Sequence, residues 1–183
     1  MNPPDLRSLL HRARRGDDEA FEALVRATRD PLFGAVRRLV GRDAVADEIL
    51  QEAYMALWGQ GGPEPENPGG WLRRVCVNRA LDAVRREEGR RAVDPEAEEV
   101  RAAASREPGP EALFAASETE ASLATAVDEL PPGERAALVL RVFEGQEFEE
   151  IARRLGVKAS TVRNQVASAR RRLGRRLGEG GER

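Results

Sequence analysis

The residues most suited to chemistry form a basic segment near the carboxy end, GVKASTVRNQVASARRRLGRRL at positions 156–177. This segment has lysine and arginine but no acidic residue. Arginine side chains can neutralise phosphates, and serine and asparagine side chains can reach the edges of bases. The segment therefore indicates binding of nucleic acid rather than catalysis.

The same segment has the pattern of the second helix of a helix-turn-helix motif. At 100° per residue its apolar positions form one core stripe, which is Val162, Val166, Ala169 and Leu173. Opposite the stripe lie Ser160, Asn164, Ala167, Ser168 and Arg171, flanked by Arg163 and Arg170. A shorter helix, EFEEIARRLG, precedes it and is joined to it through Gly156, Val157 and Lys158. We expect Ser160 or Thr161 to be the amino cap of the second helix.

A basic helix face can also be an ordinary solvated surface, which is the usual explanation of an isolated charge run. Three features occur together here: the run has no acid, it has a separate core stripe, and a helix with a glycine turn precedes it. Together they favour a helix that reads DNA. A helix-turn-helix alone does not identify the kind of DNA-binding protein that carries it.

A second basic helix, WLRRVCVNRALDAVRREEGRR, begins at Trp71 and is predicted to end at about Glu88. Tryptophan, asparagine and arginine on one helix suit stacking on bases and contact with a single-stranded backbone. The preceding segment, GQGGPEPENPGG, is a loop that could receive a base taken out of the stack. A lone tryptophan is more typical of a core, so we expect Trp71 to lie between core and surface.

The helix predicted over 43–58, DAVADEILQEAYMALW, has an acidic side away from its apolar stripe. The stripe is Val45, Ile49, Ala53, Ala56 and Leu57. The acidic sector, about 140° wide, holds Asp47, Glu48, Gln51, Glu52 and Met55. This sector is either a solvated face or a docking surface for a basic or amphipathic helix of a partner.

Helical periodicity without strand-like alternation predicts an all-α fold of two small helical domains. The first domain is predicted over residues 1–91. Residues 92–118 lose the apolar periodicity and are predicted to be a flexible acidic linker. The second domain, residues 119–183, is predicted to have one helix before the Pro131–Pro132 pair and three helices after it.

In the first domain, Asp17 or Asp18 is predicted to cap a helix that carries Phe21. Pro31 is predicted to end this helix and restart a second one, which Gly41 stops. The helix over 43–58 then follows as the third helix of the domain.

The charges are unevenly distributed, although the formal net charge is only −2. Residues 71–91 carry a net charge of +4, residues 94–134 carry −9, and residues 153–176 carry +9. Two basic blocks around an acidic spacer are typical of a protein that contacts nucleic acid at two places.

Composition excludes several classes of function. The single cysteine, Cys76, rules out an internal disulfide, and one histidine is too few for a zinc cluster of the usual spacing, so no metal is expected. The sequence contains no Ser-His-Asp set and no phosphate-binding loop, so we expect neither enzymatic activity nor a cofactor. The amino terminus has no long apolar run, so we expect no signal peptide, no membrane insertion and a cytoplasmic location.

Three segments together resemble the extracytoplasmic-function (ECF) group of sigma-70-type bacterial RNA polymerase sigma factors. DEILQEAYMALW resembles the acidic helix of the group, and NPGGWLRRVCVNRALDAVRR resembles the basic segment that follows it. LPPGERAALVLRVFEGQEFEEIARRLGVKASTVRNQVASARRRL resembles the second domain of the group nearly end to end. The resemblance covers about 125 of the 183 residues.

The resemblance implies a two-domain initiation factor without catalysis of its own, which binds core RNA polymerase, directs it to promoters and assists promoter melting. The clamp helices of the polymerase are expected to bind Asp47, Glu48, Gln51, Glu52 and Met55. The single-stranded minus-10 element is expected to contact Trp71, Arg74, Asn78, Arg79, Asp82, Arg85 and Arg86, with Asn78 recognising a non-template base. The minus-35 duplex is expected to contact Lys158, Ser160, Thr161, Arg163, Asn164, Gln165, Ala167, Ser168, Arg170 and Arg171.

The resemblance also implies further partners and a path for the linker. The second domain is expected to lie on the polymerase flap. The acidic linker is expected to run toward the active-site and RNA-exit channels, because a chain of net negative charge suits a surface built for nucleic acid. A cognate anti-sigma factor is expected to hold the protein inactive.

Several residues depart from the pattern of the group. Glu48 stands where aspartate is common, and Asn164 with Gln165 stand where serine and arginine are frequent. Asparagine and glutamine can pair bidentately with adenine. The promoter sequence that relatives recognise therefore does not predict the one that this chain recognises. Cys76 stands where a small apolar residue is usual and is predicted to lie in the core, with a redox role as the less favoured alternative.

A conventional helix-turn-helix regulator is the alternative function, with residues 1–90 as a sensing or dimerising domain. Such a regulator would bind duplex DNA specifically, usually as a dimer, without the polymerase.

Overall fold

The computed structural model describes residues 5–59, 62–93 and 118–179. Within these ranges the regular structure is entirely helical, which confirms the predicted fold class. The helices are α1 (Leu6–Arg14), α2 (Asp18–Val40), α3 (Asp43–Trp58), α4 (Pro68–Val93), α5 (Glu118–Asp128), α6 (Pro132–Val142), α7 (Phe148–Leu155) and α8 (Ala159–Glu179). None of these described helices combines the length and the apolar character needed to cross a bilayer.

The chain divides into two compact units. The first unit takes residues 1–37 and 44–80, and the second takes residues 38–43 and 81–183. The predicted linker lies outside the described residues except at its two ends, which are the last residues of α4 and the first residue of α5. The domain limits given by the sequence stay a prediction.

Apolar side chains from α1 to α4 form the core of the first unit. Its largest fully buried side chains include Leu10, Leu24, Val36, Leu57 and Leu72. Burial of one such side chain stabilises a fold by roughly 1.5–3 kcal/mol. The core includes residues of α1, a helix that the sequence analysis did not predict, so α1 is an integral part of this unit.

Pro31 lies inside α2, so the prediction that it restarts the helix is wrong. Proline in a helix interior removes one hydrogen bond and costs roughly 3 kcal/mol. The buried side of α2 nevertheless continues through it, from Leu24 and Thr28 to Leu32 and Val36. Burial on both sides of the proline keeps the two halves in one helix.

One capping contact fixes the start of α2, and side-chain contacts fix its packing on α3. Asp17 caps α2 as predicted, because its Oδ1 accepts a hydrogen bond of 3.0 Å from the backbone N–H of Ala20. The buried hydroxyls of Thr28 and Tyr54 lie 2.8 Å apart, which joins α2 to α3 through a hydrogen bond. The ring of Phe21 contacts the rings of Tyr54 and Trp58.

The second unit is organised around α8, which packs against α5, α6 and α7. Its core comes from all four helices and includes Ala126, Leu130, Ala136, Val139, Leu140, Ile151, Leu155, Val162, Val166 and Ala169. Arg135 of α6 is buried and donates hydrogen bonds to the carbonyls of Asp128 and Leu130 at the end of α5. A cation at a helix carboxy terminus satisfies carbonyls that have no partner within the helix.

The turn between α7 and α8 depends on Gly156, which has a φ of 71°. Its N–H donates to the carbonyl of Ala152, as does the N–H of Val157 at 3.1 Å. This is the left-handed ending that glycine favours. Helix α8 begins at Ala159, ahead of Ser160 and Thr161, so the prediction that one of these two caps it is wrong. Both lie in its first turn instead.

Gly156→Ala should lower the free energy of unfolding by about 1–2 kcal/mol, because a left-handed backbone brings an alanine Cβ close to the following carbonyl oxygen. The control is Gly174→Ala inside α8, where no described atom other than the adjacent residues and the helix's own nearby backbone lies within 4 Å of an added Cβ. Alanine there should raise stability by roughly 0.5–1 kcal/mol. Denaturant titration followed by circular dichroism measures both, and effects of the same sign would contradict the role of the turn.

Candidate nucleic-acid and polymerase interface

Helix α3 buries one side and exposes the acidic sector. Its buried residues are Ala46, Ile49, Leu50, Ala53, Tyr54 and Leu57, whereas Ala56, predicted to lie in the stripe, is exposed. The five residues predicted to dock the polymerase, Asp47, Glu48, Gln51, Glu52 and Met55, are all exposed. Met55 is 65% exposed. Four polar groups and one apolar group therefore share one open face.

Two carboxylates of this face form ion pairs within the first unit. Asp47 Oδ1 lies 3.1 Å from Arg29 Nη2 of α2, and Glu52 pairs with Arg79 of α4. Each of the four side chains keeps between 39% and 55% of its surface exposed, so each pair contributes only about 0–1 kcal/mol. A basic partner can therefore replace either arginine at small cost.

Helix α4 carries the residues predicted for the minus-10 element along its length. It begins at Pro68, inside the segment predicted to be a loop and ahead of the predicted start at Trp71, and it extends to Val93, beyond the predicted end at Glu88. Its buried side includes Leu72, Cys76, Ala80, Leu81 and Val84. Of the predicted residues, Arg74, Asn78, Arg85 and Arg86 are exposed, while Trp71, Arg79 and Asp82 are half-buried. Arg85 forms an ion pair with Asp82, one turn earlier on the same helix.

A cavity of about 350 Å³ lies beside Trp71 in the first unit. Its lining is Arg14, Ala56, Leu57, Gly59, Gly62, Pro63, Pro65 and Trp71. A volume of this size is at the lower end of the range for small-molecule sites. The half-buried position of Trp71 agrees with its expected place between core and surface.

Arg14 is the residue of this cavity that the sequence analysis missed. Its side chain reaches from α1 to the end of α3 and to the loop that follows. The sequence does contain a signal for α1, because Asp5 is typical of an amino cap and Leu6, Leu10 and Ala13 follow at helical spacing. In the structure, Asp5 accepts hydrogen bonds from the N–H groups of Arg7 and Ser8. Nothing in that pattern indicates where the Arg14 guanidinium goes.

Helix α8 separates its core stripe from the predicted reading face. Val162, Val166 and Ala169 are buried, and Leu173 is half-buried. Exposed on the other side are Lys158 in the preceding turn and Ser160, Thr161, Arg163, Asn164, Ala167, Arg170 and Arg171, while Ser168 is half-buried. The second unit thus presents the polar set predicted for duplex DNA.

Gln165 differs from its neighbour Asn164, because it is half-buried against α6. Its Nε2 lies only 2.6 Å from the position that a Cβ would occupy at Gly133. Its Oε1 is buried and accepts no hydrogen bond from any described residue. Asn164 is therefore the more accessible of the two amides, and a base contact by Gln165 stays a prediction.

Two arginines of the reading face are held in place by neighbours within the second unit. Arg163 Nη2 lies 2.6 Å from Glu149 Oε1, and the same guanidinium lies 5.4 Å from the ring centroid of Phe148. Arg171 Nη2 donates to Ser168 Oγ at 2.9 Å. Such contacts reduce the number of rotamers that must be ordered when a phosphate binds.

Cys76 lies on the buried side of α4, in the core of the first unit, as predicted. Burial raises the pKa of its thiol from 9.0 to about 11. The thiol therefore remains protonated at neutral pH and is a poor nucleophile, which argues against a redox role.

Among the described residues, no group of three His, Cys, Asp or Glu side chains could hold a metal ion.

Comparison with known proteins gives two family matches. The family described as sigma-70 region 2 matches residues 24–90, and the family described as sigma-70 region 4 matches residues 120–173. The chain is also similar to whole proteins. The ECF RNA polymerase sigma factor SigE of Mycolicibacterium smegmatis is 35% identical over 162 residues, which are 86% of this chain and 63% of SigE.

Two further relatives are matched over most of their own length. The RNA polymerase sigma-H factor of Pseudomonas aeruginosa is 30% identical over 178 residues, or 92% of each chain. The ECF RNA polymerase sigma factor SigM of Mycobacterium tuberculosis is 33% identical over 167 residues, or 89% of this chain and 80% of SigM. Among solved structures, the sigma factor RpoE in complex with the anti-sigma factor NepR from Bartonella quintana matches with a TM-score of 0.48 and 19% identity, over 86% of this chain and 96% of that chain.

Cys76 should be unreactive toward a thiol reagent at pH 8 in the folded protein and should react rapidly in denaturant. Because the folded pKa is above the unfolded one, the unfolded chain loses the proton first as pH rises. The free energy of unfolding should therefore fall between pH 9 and about 11. The Cys76→Ala variant should not show this fall in the free energy of unfolding. Equal reaction rates of the thiol in the folded and the unfolded protein would contradict its burial.

Proposed function

Because the chain belongs to the ECF group of sigma-70-type RNA polymerase sigma factors, we propose that it binds core RNA polymerase, directs it to specific promoters and assists melting of the minus-10 element. It does so by binding and positioning alone. The main support is that the segments matching sigma-70 regions 2 and 4 each bury an apolar stripe and expose the polar set that the proposed contact needs.

Polymerase docking is proposed for the acidic face of α3. Its exposed carboxylates suit a basic surface of the partner, and complementary charge increases the rate of association as well as its specificity. Met55 adds an exposed apolar group beside Glu48 and Glu52, which suits the hydrophobic centre of an interface. The weak ion pairs to Arg29 and Arg79 can exchange for contacts with the polymerase.

Recognition of the minus-10 element is proposed for α4 and the cavity beside Trp71. Arginines on the exposed side can follow a single-stranded backbone, and Asn78 can pair with a base edge. The cavity can hold a non-template base that has left the stack, since an unpaired base costs less to extrude than one in a duplex. Capture of such a base would stabilise the melted promoter.

Recognition of the minus-35 element is proposed for α8, with its exposed face in the major groove. Asn164 is the amide best placed to read a base, and Arg163, Arg170 and Arg171 can contact phosphates on either side. Contact of the second domain with the polymerase flap and control by a cognate anti-sigma factor are further expectations from the family.

Runoff transcription tests the proposed function against the alternative of a conventional regulator. Core polymerase with the full chain should give promoter-dependent transcripts from a subset of genomic fragments, and core alone should not. A conventional regulator would instead bind duplex DNA specifically without polymerase. If no fragment gives transcripts above the level of core alone, the proposed function is wrong.

Asn78→Ala should impair melting more than polymerase binding. Loss of one amide–base contact is worth about 1–3 kcal/mol, so open-complex formation should fall roughly tenfold, while affinity for core polymerase changes less than about twofold. Permanganate reactivity of minus-10 thymines measures the first quantity, and fluorescence anisotropy of the labelled protein measures the second.

Gln51→Ala is the matched control for this experiment, because it removes an exposed amide from the docking face of α3. It should weaken polymerase binding and leave melting normal once the holoenzyme has formed. Equal loss of both quantities in Asn78→Ala would contradict the role proposed for Asn78.

A further inference from the structure

Helix α1 lies outside both family matches, which begin at residue 24 and at residue 120. It is nevertheless fixed firmly in the first unit. Leu10 and Ala13 are buried at 1% and 2% exposure, and Asp5 caps the amino end. A short helix with this much burial has a defined orientation, so its polar side chains point in defined directions.

Arg14, the last residue of α1, connects two backbone segments that are far from it in sequence. Its Nε and Nη2 donate to the carbonyl of Leu57, at 3.3 and 2.9 Å, and its Nη1 donates to the carbonyl of Gly62 at 2.9 Å. Leu57 lies in the last turn of α3, where carbonyls lack partners within the helix and a cation is favoured. Gly62 lies in the loop before α4.

The guanidinium is planar and its donors have a fixed geometry. It can satisfy both carbonyls only when the loop is at one distance from the end of α3. Arg14 therefore fixes where the chain returns after α3, much as a bidentate clamp fixes two groups against each other.

Two further contacts from α1 reach the same loop and the start of α4. His11 Nδ1 lies 3.4 Å from Glu64 Oε2. A Cβ at Gly69, in the first turn of α4, would lie 3.0 Å from Leu6 Cδ1, so the two helices approach closely at that glycine. Along its length, α1 thus contacts the loop and the amino end of α4.

The same Arg14 side chain lines the cavity beside Trp71, together with Leu57 and Gly62. From this geometry we infer that Arg14 is a positioning residue, which sets the shape of the cavity and thereby the selectivity for the extruded base. This inference rests on the function proposed above. The base contacts the cavity, and Arg14 acts through the carbonyls of Leu57 and Gly62.

The test uses holoenzyme made from core polymerase and the full chain. The probe is a fork-junction DNA whose single-stranded non-template minus-10 bases are randomised, and sequencing of bound and free DNA gives the base preference at each position. Arg14→Ala should reduce the preference at one position roughly tenfold, because the loop is no longer held at one distance from the end of α3. Preferences at the other positions should remain. Affinity for core polymerase should stay near the wild-type value, while the melting temperature should fall by several degrees, because the hydrogen bonds of a charged, part-buried group are lost.

Two variants control for charge and for folding. Arg15→Ala removes the same charge from the next residue, which is exposed, and should keep the complete wild-type profile. Arg14→Lys keeps the charge and the fold, but its compact ammonium lacks the planar fork, so it should lose much of the preference at the same position. The lysine variant decides the question if Arg14→Ala fails to fold.

Three results would overturn the inference. A uniform loss of affinity at every position would mean that Arg14 contacts a phosphate directly. An unchanged profile in both Arg14 variants would mean that the cavity holds its shape without the guanidinium, and a complete profile in Arg14→Lys would mean that charge alone suffices. If the wild-type holoenzyme has no preference at any position, the failure lies in the proposed minus-10 role, which runoff transcription tests separately.

Discussion

Burial of one apolar stripe per helix is the constraint on which the functional surfaces depend. A helix that packs one side into a core has its rotation about its own axis fixed, and the opposite residues must then face water. Val162, Val166 and Ala169 fix α8 in this way, which leaves Asn164 exposed. The same holds for α3, where burial of Ile49, Leu50, Ala53 and Leu57 turns the acidic residues outward. The faces proposed for DNA and for polymerase thus follow from the hydrophobic core.

The charged groups on these faces are restrained before any partner binds. Arg79 pairs with Glu52, and Arg163 pairs with Glu149 while lying over Phe148. Exposed pairs of this kind are weak and are screened by salt, so they orient a side chain without holding it against a stronger partner. The cost of ordering long arginine side chains is therefore partly met in the free protein, which supports the proposed contacts with phosphates.

Local periodicity was enough to predict the helix-turn-helix, the acidic face of α3 and the basic side of α4, because each depends on residues within a few turns. The prediction at Pro31 was wrong because burial on both sides of the proline outweighed its local preference. The predicted cap of α8 was wrong because the helix already begins at Ala159, ahead of both candidate residues. Arg14 is a clearer case. Its partners, the carbonyls of Leu57 and Gly62, are 43 and 48 residues away, and backbone carbonyls leave no signature in a sequence. Only the tertiary arrangement reveals that contact.

The burial of Cys76 also determines how the motions of this protein can be followed in solution. It is the only cysteine of the chain, and its protonated thiol is enclosed in the core. A cysteine introduced at an exposed position would therefore be the one reactive thiol, and a fluorophore could be attached there without removing any native residue. The native chain thus offers no reactive thiol of its own, which is the condition that single-site labelling at an introduced cysteine requires.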